Sequence, residues 1–505
     1  MKKLIALMLA LLAAWPACAL AEKENADLFA EALSETCHVQ EGHFEYMDTI
    51  ALASQGKLIS CFGNNAGSGY LVPMIPPAPN QEPAPATEMG QMTWPAEEPS
   101  ALYDPAAENA PANPYFSPVG WTYKLRQDEA VVLVGMLPPA CKYFSLINYV
   151  FASAVKPGKE YTERSFFKYG SAEAGVYHPV FLGEPVNMNN IRYAGGETCF
   201  GGQFAYIASG NQDTAEAIRA ALIEAGFDAG MINIAPFYAD TLRMGLEKGA
   251  DVFTILMRTS QLEDAAAFEQ WRTALSESMR VYRVTPKAET PANAYAYPAL
   301  TPRGTGVHEV QSLPEADKAL DQIRQSLIAQ YGGEYDYEEF TARIAVPEGM
   351  TGYLNDENAQ GDNRDTSYLM TNDFTLNSDE DFVVVYGVNH VAAGKATYAN
   401  TVLYARPRLN GIVSLYDSMY GDSAAEYLPG ADSSKYYVLK MARTALDSHT
   451  AVIPYSTDNP NGQFYGADNG TQLFIAYRAY VEPETGVGPS YYEIVYDRAI
   501  VFHKK

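Results

Sequence analysis

A ten-residue acidic segment, DENAQGDNRD (356–365), contains several side chains that could bind a cation. Oxygen-bearing side chains alternate along its first half and Gly361 then allows a turn, which is the layout of the first half of a calcium-binding loop. The predicted calcium ligands are Asp356, Asn358, Gln360 and Asp362. The twelfth position is Ser367 instead of a bidentate glutamate, so the segment is not an EF-hand. Two interpretations stay open: a calcium site, and a solvated loop built from turn-forming residues.

His390 is a candidate general acid or base. It follows an apolar strand pattern in the segment YGVNHVAAGKATYAN, and functional side chains often collect where strands end. Asp362 or Asp365 would be its acidic partner, and these three residues form the candidate catalytic set. The alternative is a histidine with a purely structural hydrogen-bonding role, which is the commoner role for an isolated histidine.

Tyrosine is abundant, with 36 residues in the chain. Tyrosine rings offer stacking surfaces to sugars and rigid contact area to proteins, so together with Asn and Asp they favour a carbohydrate or a cell-surface protein as the partner. The basic residues predicted to contribute to binding are Arg364, Lys395 and Arg478. Strands also use tyrosine freely for packing, and that interpretation needs no ligand.

Short catalytic motifs are missing from the sequence. There is no phosphate-binding glycine loop, no HExxH, no CxxC and no GxSxG pattern. A glycosidase leaves no such motif, because two carboxylates from distant positions suffice for its chemistry. The leading hypothesis is therefore an exported ligand-binding or interaction protein. The alternative is an exported glycosidase-like hydrolase that uses Asp362, Asp365 and Glu493.

The N-terminal 21 residues, MKKLIALMLALLAAWPACALA, have the layout of a secretory signal peptide. Two lysines precede an apolar run, and Ala19-Leu20-Ala21 forms a small-residue cleavage site. The sequence thus predicts a secreted or cell-surface location. Lipidation at Cys18 is the alternative, although Trp15 and Pro16 are poor residues for a lipobox. No later segment is long and apolar enough to predict a membrane span.

The chain is strongly acidic. Its formal charge is −26, and removal of the signal peptide with its two lysines and no acid takes it to −28. A surface of this sign repels the phosphates of nucleic acids, so the composition predicts no nucleic-acid partner.

Four cysteines remain after cleavage at residue 21: Cys37, Cys61, Cys141 and Cys199. An even number outside the cytoplasm predicts disulfides, and order along the chain favours the pairs Cys37–Cys61 and Cys141–Cys199. Four cysteines allow three connectivities, and buried thiols are the alternative to any of them.

Composition changes divide the chain into segments. Twelve prolines fall between Pro73 and Pro118, and a second Pro-rich stretch follows residue 285. The predicted organisation is a signal peptide (1–21), a small N-terminal region (22–72), a Pro-rich linker (73–118), an α+β domain (119–285), a second linker (286–306), and a helix with a β-rich, sandwich-like domain (307–505).

Three strand-like segments recur in both halves. DEAVVLVG (128–135) resembles EDFVVVYG (380–387), and residues 149–151 fall opposite residues 402–404 at nearly the same offset. FTILMR (253–258) resembles LFIAYR (473–478), which aligns Arg258 with Arg478. An ancient duplication would explain the matches, and so would the similar composition of unrelated strands.

Overall fold

The computed structural model describes residues 25–50, 61, 63–65, 67–81, 121–154, 167–168, 176–178, 180, 183–247, 249–346, 348–357, 359, 361–407, 409–429, 432–456 and 466–505. The predicted signal peptide with Cys18, residues 82–118 of the first linker, and two predicted calcium ligands, Asn358 and Gln360, lie outside the described residues.

The described chain is a mixed α+β fold dominated by strands, as the sequence predicted. The helices are residues 25–33 (α1), Gln212–Glu224 (α2), Ala265–Thr273 (α3), Leu275–Ser278 (α4), Glu309–Ser312 (α5), Ala316–Tyr331 (α6) and Gly349–Asn355 (α7). The strands of the first half are Cys37–Tyr46 (β1), Ser68–Met74 (β2), Ala130–Met136 (β3), Cys141–Ala154 (β4), Phe167–Lys168 (β5), Val176–His178 (β6), Val186–Asn187 (β7), Gln203–Ser209 (β8), Ile232–Ile234 (β9), Val252–Leu262 (β10) and Met279–Pro286 (β11). The strands of the second half are Tyr335–Thr341 (β12), Arg343–Ile344 (β13), Thr366–Met370 (β14), Phe374–Thr375 (β15), Phe382–Val388 (β16), Tyr398–Ala405 (β17), Asn410–Tyr416 (β18), Tyr436–Ala442 (β19), Thr450–Val452 (β20), Gln472–Tyr480 (β21) and Arg498–Lys504 (β22).

The first half forms a single sheet with the strand order β5-β6-β4-β10-β2-β1-β11-β3-β8-β9, and β7 pairs with β4. Strand β1 pairs with β11 through its first residues and with β2 through its last ones, so it links the two parts of the sheet. Because β1 and β2 occupy the middle of this sheet, the described part of the small region predicted at 22–72 contributes to the sheet of the first half.

The second half repeats this strand order in two sheets. Its order β12-β22-β16-β19-β20 corresponds to β1-β11-β3-β8-β9, and in both cases only the last pair is parallel. The central strand β21 pairs with β14 and β17 just as β10 pairs with β2 and β4, always antiparallel. The three strand matches found in the sequence therefore fall on corresponding strands: β3 with β16, β4 with β17, and β10 with β21.

Each half has three layers. In the first half, α1 and α2 cover one face of β3, β8 and β11, and the other face of these strands packs against β2, β4 and β10. In the second half, α6 covers one face of β16, β19 and β22, and the other face packs against β14, β17 and β21. The two strand groups without a helical cover meet each other through Tyr143, Tyr398 and Tyr480.

The two central strands are buried on both faces, which explains their almost continuous apolar sequences. Side chains alternate between faces with a period of two. Phe253, Ile255 and Met257 of β10 enter the core of the first half, whereas Arg258 is on the opposite face, toward the second half. Polar residues on the two central strands thus lie where the halves meet.

Some local predictions are corrected by tertiary contacts. The sequence predicts a helix at Asp240–Lys248, but the described residues 240–247 form turns, bends and an isolated bridge, because Arg243 N–H bonds to the Asp251 carboxylate and Gly245 bridges to Leu125. The sequence predicts a capping box of Asp213 and Glu216 at the start of helix α2, but the cap is Asn211, whose side chain accepts from the Thr214 N–H.

The second Pro-rich stretch (286–306) lies along both halves. Asn293 O accepts from Gln212 N–H in the first half, and Thr301 O accepts from Arg364 in the second. Among the described helices, none combines the length and the apolar character that crossing a membrane requires.

Candidate ligand-binding cavity

A cavity of about 190 Å³ lies between the uncovered faces of the β2-β10-β4 and β14-β21-β17 groups. Its wall is mostly apolar and aromatic, with a few charged groups. The aromatic part of the wall comprises Tyr70, Trp121, Tyr149, Phe151, Tyr368, Tyr404, Phe474 and Tyr480. A concave apolar site with a few convergent polar groups is the usual form of a small-molecule site.

Arg478 is a cation of this wall, in the middle of β21. Arg478 is 8% exposed, and one of its amino groups, Nη2, donates to Gly63 O at 2.9 Å. The guanidinium carbon lies 5.3 Å from the ring centre of Tyr404 and 5.7 Å from that of Tyr368. Nη1 is buried and has no hydrogen-bond partner among the residues that the structure describes. Within the part of the chain that the structure describes, no carboxylate lies within 4.0 Å of this guanidinium.

Arg258, on β10, is the second cation of the wall and has a different environment. Its Nη2 donates to the Tyr143 hydroxyl at 2.9 Å and lies 3.5 Å from Asp365 Oδ1. Tyr143 in turn donates to Asp365 Oδ2 at 2.8 Å. Arg258, Tyr143 and Asp365 thus form a buried network that joins the two halves, although Arg258 Nε has no hydrogen-bond partner among the described side chains and backbone.

The two arginines occupy corresponding positions of the repeated strand order. Arg258 is opposite Tyr70 of β2, and Arg478 is opposite Tyr368 of β14. All four of these side chains line the cavity. The two arginines that align in the sequence therefore lie at equivalent strand positions in the wall of one cavity.

Asp362 is the carboxylate of the wall. Its Oδ2 accepts from the Gly349 N–H at 3.1 Å, whereas Oδ1 is buried, makes no hydrogen bond with the described residues and lies 3.9 Å from Arg303 Nη2. Burial raises the pKa of this carboxyl to about 7, although the nearby Arg303 charge opposes the rise. Asp362 is therefore able to hold a proton near neutral pH.

His390 has partners other than those that the sequence suggested. Its Nδ1 lies 2.7 Å from Glu309 Oε1, and its Nε2 lies 3.5 Å from Asp497 Oδ2, so neither Asp362 nor Asp365 is its acidic partner. Glu309 begins α5 and Asp497 precedes β22, so both partners lie far from His390 along the chain. Burial lowers the pKa of His390, but the two carboxylates outweigh this effect and raise the pKa well above its usual value.

Lys395 and Arg364 bind protein carboxylates. Lys395 Nζ lies 2.7 Å from Glu482 Oε1 and 2.6 Å from Glu493 Oε2, all of them buried. Arg364 Nη1 donates to Glu348 Oε2 at 2.7 Å, and its Nη2 donates to Thr301 O. Of the three basic residues predicted to bind a ligand, Arg478 is the one that lines the cavity.

The predicted calcium loop has another arrangement in its described part. Asp356 ends helix α7 in the left-handed conformation, and Asp362 is directed toward Gly349 and Arg303. Among the described residues, no group of three His, Cys, Asp or Glu side chains is placed to hold a metal ion. Asn358 and Gln360 lie outside those residues.

Neither predicted disulfide is formed in the structure. Cys37 begins β1 next to Pro286 of β11, and Cys61 Sγ lies 3.7 Å from Thr49 O. Cys141 Sγ donates to Tyr143 O at 3.1 Å. Burial raises the pKa of Cys141 to about 12 and that of Cys199 to about 11, so both favour the thiol form.

Sequence reasoning did not select Arg258 or Tyr70 as site residues. Arg258 was visible only through the match of β10 with β21. Tyr70 was one tyrosine among many, because its place opposite Arg258 follows from strand register alone.

Comparisons with known proteins show no family. No family model matches the chain. A segment of 111 residues is 31% identical to the probable ribonuclease FAU-1 of Pyrococcus horikoshii and to that of Pyrococcus abyssi, covering 21% of this chain and 22% of theirs. The chain thus matches about a fifth of the length of these curated relatives. An uncharacterized protein from Burkholderia cenocepacia aligns over 95% of this chain and 86% of its own, with 9% identity and a TM-score of 0.37. A protein from Vibrio parahaemolyticus aligns over 75% and 87%, with 10% identity and a TM-score of 0.31.

Proposed function

We propose that this chain is an extracytoplasmic binding protein whose central cavity holds a small organic acid. The observation that carries the proposal is the environment of the Arg478 guanidinium. This guanidinium is buried in the cavity wall, and among the described residues its amino group Nη1 has no hydrogen-bond partner and no carboxylate lies within 4.0 Å of it. A carboxylate bound there would supply the missing charge and hydrogen bonds.

The energetic argument is that a buried charge without a counter-ion is costly. Arginine does not neutralise itself by losing its proton, because its pKa exceeds that of other side chains. Contact with the faces of Tyr368 and Tyr404 compensates part of the cost, by about 2 kcal/mol or less. Loss of hydration of an ion costs several kcal/mol even after relaxation of the protein. A site with this imbalance favours an anionic ligand over a neutral one.

The rest of the cavity wall supports an apolar body for the ligand beside its acid group. Rings and aliphatic side chains such as Leu256, Val346 and Leu409 surround most of the space. Such a wall suits an apolar body attached to the acid group. A neutral sugar carries hydroxyl groups over its whole surface and would leave many of them unpaired here, so the apolar acid is preferred to the carbohydrate expected from composition.

The location of the cavity fits an origin by duplication. We infer that the two halves descend from one duplicated unit, since they share their strand order, the parallel pair at one edge, and the Arg–Tyr register. The ligand would then bind at the junction of the two copies. Sequence profiles of relatives of each half should match over β3, β4 and β10; their failure to match would argue against common descent.

A hydrolase is the second candidate, supported by one observation. Asp362 lines the cavity and its carboxyl pKa of about 7 is suitable for a general acid. The other carboxylates considered are engaged elsewhere, Asp365 with Tyr143 and Glu493 with Lys395. Release of nitrophenol from a panel of nitrophenyl glycosides, abolished in Asp362→Asn, would favour this candidate. An inactive wild-type protein would exclude it for those substrates.

The binding proposal is tested with the mature chain, residues 22–505. Calorimetry and thermal shift should detect saturable binding of 3-phenylpropionate and no binding of glucose. Arg478→Gln should abolish the binding, whereas Arg219→Gln, on the surface of α2, should leave it unchanged. Equal binding by the Arg478→Gln protein, or no response to any organic acid, would overturn the proposal.

The extracytoplasmic part of the proposal has its own test. When the full-length chain is expressed in a bacterium with a general secretion pathway, the exported product should begin at Glu22. A cytoplasmic product that retains Met1 would contradict the predicted location.

A further inference from the structure

The cavity has an unsatisfied acceptor as well as unsatisfied donors. Asp362 is 2% exposed, and within the described part of the chain its Oδ1 makes no hydrogen bond. The nearest cation, Arg303, remains 3.9 Å away because its Nε donates to Glu348 at 2.8 Å and its Nη1 donates to Thr366 O at 2.8 Å. A buried carboxylate oxygen without a donor is as unfavourable as a buried N–H without an acceptor.

The unsatisfied acceptor and the unsatisfied donors belong to one cavity but do not meet each other. Asp362, Arg258 and Arg478 all line it, and among the described residues no ion pair within 4.0 Å joins Asp362 to either arginine. Tyr368, which also lines the wall, feels the charge of all three groups. Asp362 and the two arginines therefore line the same cavity without forming an ion pair with each other.

We infer that the ligand is a zwitterion, an α-amino acid with an apolar side chain, whose carboxylate binds Arg478 and whose ammonium group binds Asp362 Oδ1. This inference rests on the proposed function and specifies the class of acid. One molecule would satisfy both kinds of unpartnered groups. A simple acid would satisfy only the arginine and would leave Asp362 Oδ1 without a donor.

The apolar side chain follows from the middle of the wall. The residues around the space include Met47, Phe151, Leu256, Met370 and Phe474, which offer no charged partner. The volume of about 190 Å³ is below the range of roughly 300–1,000 Å³ that is usual for drug-sized ligands, so a ligand of the size of a single amino acid fits better than a peptide.

Calorimetry on the wild-type mature protein tests the inference with four probes. L-leucine and L-phenylalanine carry both charges, 3-phenylpropionate lacks the amino group, and phenethylamine lacks the carboxylate. At least one of the two amino acids should bind. If L-phenylalanine binds, removal of its amino group should weaken binding about tenfold or more, which is the usual effect of losing a hydrogen bond to a charged group. Phenethylamine should not bind measurably.

The variant Asp362→Asn adds an independent test. It should reduce the affinity for the amino acid while leaving the affinity for 3-phenylpropionate unchanged or higher. Asp317→Asn, which alters an 84% exposed carboxylate, is the matched control. The wild-type comparison of probes decides the question even if Asp362→Asn fails to fold.

The outcomes separate the two proposals. If 3-phenylpropionate binds as tightly as L-phenylalanine, the zwitterion inference is overturned while the organic-acid proposal stands. If none of the carboxylate-bearing probes binds, both are overturned.

Discussion

Arg258 and Arg478 lie at corresponding positions of two facing strand groups. Of these two arginines, only Arg258 has a carboxylate of a described residue within 4.0 Å. Asp365 supplies that carboxylate, and it comes from the other half of the chain. The two positions thus share a backbone environment but differ in charge balance. Arg258 contacts the other half through Asp365, and Arg478 is the cation that we propose binds a ligand.

The contrast between the two arginines predicts opposite effects on stability. Arg258→Met should destabilise the protein by roughly 3–5 kcal/mol, because it leaves Asp365 buried without its cation. Arg478→Met should leave the ligand-free protein equally stable or more stable, because it removes a buried charge that has no counter-ion. Urea unfolding of both variants at neutral pH measures the effect. A large loss of stability in Arg478→Met would show that this guanidinium has a structural partner.

Lys395 should be a major determinant of the stability of the second half. Its ammonium group separates the buried carboxylates of Glu482 and Glu493. Lys395→Met should therefore cost roughly 3–5 kcal/mol, whereas Lys318→Met, at an 81% exposed lysine, should cost almost nothing. Thermal unfolding followed by circular dichroism compares the two. Similar melting temperatures for both variants would contradict the prediction.

The Lys395 cluster also predicts a dependence on acid pH. Burial raises the pKa of Glu493, but hydrogen bonds from Lys395 and from the backbone of Gly306 and Thr305 outweigh burial and lower the pKa below its usual 4.5. The resulting stabilisation is present above pH 4.5 and is lost as the pH falls through the lowered value. Glu493→Gln should therefore show a smaller loss of stability between pH 5 and pH 3 than the wild type. An unchanged acid transition would contradict this role.

His390 predicts a dependence at the opposite end of the physiological range. The pKa of His390 in the folded protein is raised well above its usual value of 6.5. The charged histidine therefore stabilises the folded protein fully below pH 6.5, and this stabilisation is lost as the pH rises through the folded pKa. As the pH rises from 6.5 toward the raised pKa of the folded protein, this site should lower the free energy of unfolding by about 1.4 kcal/mol per pH unit. Urea unfolding should show this slope in the wild type and in His449→Gln, but a reduced slope in His390→Gln. Equal slopes in all three proteins would count against a charged His390.

The thiols offer a test of the disulfide prediction. Cys37 is half-buried, whereas Cys141 and Cys199 are buried with raised pKa values. Iodoacetamide at pH 8 should modify Cys37 in the folded protein, and Cys141 and Cys199 only after unfolding. Peptide mass spectrometry without reductant measures the order. A linked Cys141–Cys199 peptide would instead establish the disulfide that chain order favoured.

Much of the secondary structure was predictable, because apolar strands such as β3 and amphipathic helices such as α6 have clear local patterns. The helix predicted at Asp240–Lys248 was wrong because a buried carboxylate, Asp251, binds the backbone there. Local sequence does not report such a contact.

The candidate site was predictable only in part. Arg478 was selected from the sequence and lines the cavity, and Asp362 was selected as a carboxylate and lies in the same wall. The partner of His390 was mispredicted because Glu309 and Asp497 lie far from it along the chain. Proximity in sequence is a poor guide to buried ion pairs between distant elements.

The sequence by itself determined the apolar strands, the main helices, the acidic charge and the resemblance between β10 and β21, since these depend on residue type and local spacing. Only the tertiary structure decided which charges are paired. Strand register brought Arg258 to Tyr70 and Arg478 to Tyr368, and the packing of the two halves brought Asp365 to Arg258. Among the described residues, the same packing leaves Arg478 without a carboxylate within 4.0 Å and Asp362 Oδ1 without a hydrogen bond. The physical reason is that desolvation and ion pairing act through space, so the chemistry of this cavity depends on contacts between residues more than 100 positions apart.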